Sequence, residues 1–231
     1  MLVQPLSEST EMYLKAMLEL SDREVMSVVR LAERLNVTAV SANEMLRRLV
    51  EQGWVEHIPY KGVTLTANGR EAACSVIRRQ RLWECFLYEQ LKIEWSKLYE
   101  LACSLEHATA PDVTAALAVF LGNPKTCPHG NPIPAADGTL MPLDGVPLTA
   151  ANVGETVCVV AVSATATDVL RHLQERKILP GQVLSVLDAA PLEGPLTLRE
   201  QPGGKSNSHR KEIVLGLSLA EFVIVKGCSH A

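Results

Sequence analysis

Apolar residues recur at helical spacing through the first third of the chain. Tyr13, Ala16, Met17 and Leu20 stand at i, i+3, i+4 and i+7 behind Ser7 or Ser9 as a cap, so one stripe of this first helix is core. Glu11 and Met12 fall on its other faces, near its start, where they can meet something outside the core. Val28, Leu31, Ala32 and Leu35 repeat the stripe and stop at Asn36-Val37. Thr38 then opens a third helix with Ala42, Met45, Leu46 and Leu49 inward. Two short helices and a tight turn predict a helix-turn-helix. After Gly53, the runs Trp54–Ile58 and Val63–Thr66 flank Pro59-Tyr60-Lys61-Gly62, which predicts a hairpin and hence the winged form.

Removing the inward stripe from the third helix leaves Thr38, Ser41, Asn43, Glu44, Arg47 and Arg48 outward. Short polar groups come first and arginines later. That order suits a helix docked in a major groove, with asparagine able to pair with an adenine edge and the cations reaching phosphates. Lys61 at the hairpin tip is a further phosphate contact on this reading. The residues alone leave open a plain three-helix bundle whose hairpin makes protein contacts.

The middle of the chain is helical. Thr66-Ala67-Asn68-Gly69 can cap a long helix running to about Leu91, with Ala73, Val76, Ile77, Phe86, Leu87 and Leu91 as its apolar face. Ser96 is expected to cap the next helix. Pro111-Asp112 starts another through Val113, Leu117, Phe120 and Leu121, closed by Gly122 and Pro124. So much apolar face on few helices predicts a dimer interface.

The pattern then changes to short alternating runs, Thr156–Val162, Val183–Leu187, Leu196–Arg199, Ile213–Leu215 and Phe222–Val225, with one helix over Thr167–Gln174. This is the plan of a small β-barrel. Gly203-Gly204-Lys205-Ser206 lacks the spacing of a phosphate-binding loop and is expected to be a turn between strands. The fold class expected is α+β: a winged helix-turn-helix over 1–72, a helical domain over 73–142 and a barrel over 143–231.

Composition adds two constraints. The 231 residues are 47% hydrophobic and 21% charged, enough for packed cores, and no apolar run reaches the roughly 18 residues of a membrane span. The start Met1-Leu2-Val3-Gln4-Pro5 is not an export signal, so a cytoplasmic location is expected. The six cysteines, 74, 85, 103, 127, 158 and 228, have no tight disulfide spacing and read as free thiols or metal ligands. The net charge of −4 hides an uneven distribution: residues 21–81 carry ten Lys or Arg against seven Asp or Glu, a local charge of +3. A modestly basic head on an acidic body fits specific DNA binding.

The chemistry-bearing residues follow the head. Cys103, Glu106 and His107 at i, i+3 and i+4 point a thiolate, a carboxylate and an imidazole the same way. Farther on, Cys127-Pro128-His129-Gly130-Asn131-Pro132 offers a second thiolate and imidazole in a loop stiffened by prolines. Each residue alone also reads as packing or solvated surface. Together, soft and borderline donors favour a transition metal over magnesium or calcium.

Thr10-Glu11-Met12-Tyr13-Leu14, Leu31-Ala32-Glu33-Arg34-Leu35, Ala102-Cys103-Ser104-Leu105-Glu106-His107 and Gly130-Asn131-Pro132-Ile133-Pro134, with the β-rich tail, resemble the diphtheria-toxin-repressor family in its three-domain form. The resemblance implies a winged helix-turn-helix, a helical dimerisation and metal-binding domain and an SH3-like, FeoA-like barrel. It implies a homodimeric repressor that binds palindromic operator DNA when loaded with Fe(II) or Mn(II) and controls metal-homeostasis genes. Met12, Cys103, Glu106 and His107 stand where the family's DNA-activating site lies. A metal held between Met12 and the 103–107 helix would tie the head to the dimerisation domain and fix the spacing of two recognition helices. Methionine with a thiolate is the iron-like pattern of the family, although Co(II), Ni(II) or Zn(II) would also bind such donors in vitro. For a second site, Gln80 and Tyr99 replace family histidines, and Ala166 and Val169 replace the barrel ligands. An alternative set seen among manganese-type relatives is Glu84, Cys127, His129 and Asp168, with Gln80 as a further candidate. Two other classes stay open: a thiol redox switch joining Cys103 to Cys127, and a mononuclear metal enzyme, which lacks an evident cleft or oxyanion loop.

Overall fold

A computed structural model describes residues 6–20, 25–201 and 212–228. The chain divides into two compact units, one of Met1–Arg79 with Pro134–Leu140 and the other of Gln80–Ile133 with Met141–Ala231. The glycine-rich segment 203–206 lies outside the described residues.

In the first unit the predicted helices form because each has both a stripe and a cap. α1 spans Glu8–Leu20, and Ser7 is its cap: its Oγ accepts the Thr10 amide at 3.2 Å. α2 spans Val28–Leu35, capped by Ser27 and ended by Asn36 in the left-handed region at φ 53°. Asparagine tolerates that conformation better than most residues, which is why the stripe stops there. α3, Ala39–Glu51, starts at Thr38, whose Oγ1 accepts the Ser41 amide at 3.1 Å. Leu14, Met17, Leu31, Leu46 and Leu49 from the three helices fill a common core.

β1 (Val55–Ile58) and β2 (Gly62–Leu65) pair antiparallel from Val55↔Leu65 to Ile58↔Gly62. Met26 bridges Val63 on the other side, with amide-to-carbonyl distances of 2.8 and 2.9 Å. Gly62 is required at this crossing: its φ is +133° and an added Cβ would lie 2.1 Å from the Met26 oxygen. The first predicted strand is one residue too long and the second is shifted by one. Trp54 falls in the bend before β1, and Thr66 leaves the hairpin to cap α4, its Oγ1 accepting the Gly69 amide at 3.1 Å.

α4 runs Ala67–Glu89 and is shared between the units. Ala73, Cys74 and Ile77 pack into the first core, whereas Leu82 and Cys85 pack with Leu117, Ala118, Cys127 and Ile133 in the second unit. After a single 3-10 turn, Trp95–Lys97, α5 covers Leu98–Glu106, and α6 covers Pro111–Phe120 with proline at its first turn. Ser96 does not cap α5. It is buried inside the 3-10 turn, where its amide donates to Gln174 Oε1 at 3.2 Å and its hydroxyl donates to Glu94 at 3.1 Å.

The tail is a six-stranded antiparallel sheet in the order β3-β8-β4-β5-β6-β7. The strands are β3 Val146–Pro147, β4 Thr156–Val162, β5 Val183–Ala189, β6 Leu196–Glu200, β7 Glu212–Leu215 and β8 Val223–Gly227. α7 (Thr167–Glu175) follows β4, and the four-residue α8 (Leu217–Ala220), too short to show a period, precedes β8. Bulges at Val159/Ala161 and Val186/Asp188 bend the sheet. Its core is continuous with the helices of the same unit: Leu87, Trp95, Leu98 and Ala102 pack with Leu170, Leu173 and Ile178.

Candidate metal centres and nucleic-acid face

Among the described residues, two groups of three metal-binding side chains have donor atoms all within 4.8 Å of one another. The first is Cys103, Glu106 and His107. α5 ends at Glu106, but His107 keeps helical dihedrals (φ −69°, ψ −28°), so its ring stays on the face set by Cys103 and Glu106. Cys103 Sγ is 3.8 Å and His107 Nε2 is 3.6 Å from Glu106 Oε1. Glu106 is completely buried. The C-terminal end of a helix also favours a cation. A soft sulfur beside a carboxylate and an imidazole is a donor set for a divalent transition metal.

The second group, Glu84, Cys127 and His129, is buried throughout. Glu84 comes from α4 and the other two from the loop after α6. That loop is folded by its own turn, the Gly130 amide donating to Cys127 O at 2.8 Å and the Cys127 amide to Asn131 O at 3.0 Å. Gly130 has φ +83°, and an added Cβ would sit 2.1 Å from Val160 O, so only glycine lets the loop lie this close to β4. Val162 N donates to His129 O at 2.8 Å and Asn131 Nδ2 to Val162 O at 2.9 Å, which docks the loop on that strand. Trp95 clamps it from the other side through Nε1 to Pro128 O at 2.9 Å and a ring contact with His129 at 4.4 Å. Arg81 donates to the Pro132 carbonyl.

His129 Nε2 lies 3.2 Å from the Trp95 carbonyl, which can only accept, so that nitrogen carries a proton. Nδ1 and Glu84 Oε2 share a hydrogen bond at 2.9 Å, and a metal taking the place of the proton between them would find a histidine whose outer N–H is held by a backbone carbonyl. Burial acts upward on the Glu84 carboxyl, but the charge and hydrogen bond of His129, a hydrogen bond from Cys127 and the Arg81 charge outweigh it and hold Glu84 below the usual range. Burial, and then the charge of Glu84, push the Cys127 thiol well above its usual range. Cys127 therefore stays a thiol until a cation takes the place of its proton.

On α3, Thr38, Ser41, Asn43, Glu44, Arg47 and Arg48 are all exposed, as is Lys61 at the hairpin tip. Arg48 pairs with Glu44 at 2.6 Å and Arg47 with Glu51 at 3.2 Å. Exposed pairs of this kind are worth little, so the guanidinium groups can exchange carboxylate for phosphate.

Residues 5–63 match the family described as iron dependent repressor, N-terminal DNA binding domain. Residues 66–135 match its metal binding and dimerisation domain, and 146–227 match the FeoA domain. A solved manganese-dependent transcriptional repressor in complex with manganese is 32% identical, with a TM-score of 0.85 over 95% of this chain and 100% of its own. The chain belongs to the iron-dependent repressor family. It is also similar to the iron-dependent repressor IdeR of Mycobacterium tuberculosis, 29% identical over 199 residues, 78% of this chain and 84% of that one. The diphtheria toxin repressor of Corynebacterium diphtheriae is 31% identical over 136 residues, 58% of this chain and 60% of that one. This repressor is thus an α+β member of the iron- and manganese-dependent transcriptional repressors, with the family's DNA-binding and dimerisation domains. No helix among its described residues is long and apolar enough to cross a membrane.

One expected ligand of the repressor's second group stands apart. Asp168 is outside the Glu84 group: it is exposed in the first turn of α7, where its carboxylate accepts the Val169 amide at 2.8 Å. Gln80 is buried in α4, and its Nε2 has no hydrogen-bond partner among the described residues. Met12 lies half-buried on α1 in the first unit, next to Glu11, which accepts from Arg79 at 2.6 Å. Sequence reasoning missed Trp95 and Arg81, which hold the loop, and passed over Val40. Val40 stands 78% exposed in the first turn of α3 among the polar residues, and an outward apolar side chain there was visible in the helical period. Along α5 from Cys103, Thr167 Oγ1 donates to Glu100 Oε2 at 3.0 Å beside a hollow lined by Cys103, Ser104 and Thr165.

Proposed function

We propose that this repressor binds operator DNA as a homodimer in the cytoplasm when Fe(II) or Mn(II) is held by Cys103, Glu106 and His107, and so controls genes of metal homeostasis. The observation that carries the reading is the convergence of a thiol, an imidazole and a completely buried carboxylate at the end of α5. The donor set fits a divalent transition metal. Met12 is assigned to the same ligand set on the resemblance of Thr10–Leu14, and a thioether with a thiolate favours Fe(II) over Mn(II) among these two. Co(II), Ni(II) and Zn(II) are expected to bind in vitro.

We assign Glu84, Cys127 and His129 to a second metal site with a structural role, because closing it would fasten the 127–132 loop to both α4 and β4. Thr38, Ser41 and Asn43 read base edges, with Val40 available to a thymine methyl. Arg47, Arg48 and Lys61 take phosphates, and Glu44 orients Arg48. The redox alternative is disfavoured by Cys127, whose burial and raised pKa leave little thiolate to react.

Metal binding to the metal-free protein, followed by competition with a chromophoric chelator, tests the ligand sets. Wild type is expected to hold two metal equivalents per chain. Glu106→Gln and Met12→Ala should each weaken one of them at least tenfold without unfolding the protein, and Glu84→Gln the other. Unchanged affinity of both equivalents in Glu106→Gln would refute the first site.

A further inference from the structure

Four cysteines belong to neither ligand group; Cys74 and Cys85 are buried in α4, whereas Cys158 and Cys228 are partly exposed on the sheet. Cys158 lies in β4 and Cys228 directly follows β8, and these strands pair antiparallel with Val157 opposite Gly227 and Cys158 opposite Lys226. The Cys228 amide donates to Thr156 O at 3.2 Å, which carries the pairing one residue farther. Cys158, Lys226 and Cys228 therefore share one face of the sheet, with the two cysteines as diagonal neighbours. It is the outer face: Val157, Val159 and Val225 are buried on the other side, whereas both cysteines are partly exposed. The thiols sense each other, since burial first and then the Cys158 sulfur raise the pKa of Cys228.

A diagonal pair suits a bridging ion better than a sulfur–sulfur bond. Diagonal neighbours stand about 7–8 Å apart, beyond the Cα separation of about 4.4–6.8 Å that a disulfide usually spans. An ion about 2.3 Å from each sulfur separates the sulfurs by about 4.6 Å and bridges the wider gap without moving a strand. Two thiolates prefer a soft cation. With a monovalent ion the complex carries one negative charge, and exposed Lys226, which is 3.7 Å from Asp144, stands opposite Cys158 on the same face.

We propose that Cys158 and Cys228 form a two-thiolate site on the outer face of the barrel for a soft monovalent cation such as Cu(I). Binding replaces both thiol protons by one Cu(I), releasing two protons to solvent with no change of oxidation state. The site is independent of the ligand groups assigned to repression, so its test does not depend on that assignment.

The test uses the full-length, reduced protein under anaerobic conditions, titrated with Cu(I) against bathocuproine disulfonate, and repeated with redox-inert Ag(I). Wild type should hold one equivalent more than Cys158→Ser or Cys228→Ser, and the double variant should lose no more than either single one. Such non-additivity identifies one shared ion, because copper bound at Cys103 or Cys127 is common to all variants and cancels. Circular dichroism should show these outward substitutions folded, with Cys158→Ala as a second variant. Wild-type stoichiometry in the single variants would overturn the proposal, as would losses that add in the double variant. A Cys158–Cys228 disulfide found by non-reducing peptide mapping of the anaerobic, Cu(I)-treated protein would also overturn it.

Discussion

His129→Ala removes the centre of the best-connected polar group in the second unit. The ring gives one nitrogen to Glu84 at 2.9 Å, the other to the Trp95 carbonyl at 3.2 Å, and a face to the Trp95 indole at 4.4 Å. Without it Glu84, 2% exposed, keeps a buried charge with only Arg81 and Cys127 nearby. Breaking a buried pair by removing one partner costs about 3–5 kcal/mol. The orphaned Trp95 carbonyl adds about 1 kcal/mol. The metal-free variant should therefore lose about 5 kcal/mol, which at a urea dependence of about 3 kcal/mol per M lowers the unfolding midpoint by roughly 1.7 M. Metal-free protein in chelator, followed by circular dichroism and tryptophan emission, reads this directly. The control is Glu84→Gln with His129→Ala. If the damage is an orphaned charge, the double variant is more stable than His129→Ala alone. Additive losses, or a midpoint shift under about 0.3 M for His129→Ala, would refute the account.

Three further outcomes follow from the same geometry. Gly130→Ala puts a Cβ 2.1 Å from Val160 O at a φ of +83°, so the loop should undock from β4; hydrogen exchange should show faster exchange at the Val162 amide, and unchanged protection would contradict the docking. Asn43→Ala should weaken binding by about 1–3 kcal/mol at one base position, whereas Lys61→Ala should weaken all sequences alike and reduce the salt slope by about 1; anisotropy over a salt series separates them. Glu84 is held below its ordinary pKa, so its contribution is complete above the unfolded carboxylate range and is lost as pH falls through the lower folded value. Metal-free wild type should consequently show an acid-side fall in urea midpoint that is shallower in Glu84→Gln, and parallel profiles would show that Glu84 contributes nothing to it.

What the sequence disclosed was mostly local. Thr38 and Asn36 bound the helix-turn-helix through contacts within a few residues, and the Cys103, Glu106 and His107 face needs only the helical period. Alternation located five strands of the barrel, missing β3 of two residues. Glu84 is separated by 45 residues from His129, and here only the resemblance joined the two. Its support was not legible at all. Trp95 reaches the loop because a 3-10 turn places its carbonyl and ring together, and Ser96 reads as a cap until Gln174, 78 residues away, takes its amide. Asp168 matched as a residue type, but a carboxylate in the first turn of a helix satisfies itself on the local amide.

On the function proposed above, DNA binding depends on metal held at the end of α5. Fluorescence anisotropy of metal-free protein on a duplex enriched from random sequences by the metal-loaded protein, titrated anaerobically with Fe(II), Mn(II), Co(II) and Zn(II), tests it most directly. Metal-free protein should show no specific binding, added metal should restore it, and Glu106→Gln should lose the restoration. Equal binding by metal-free and metal-loaded wild type would contradict it.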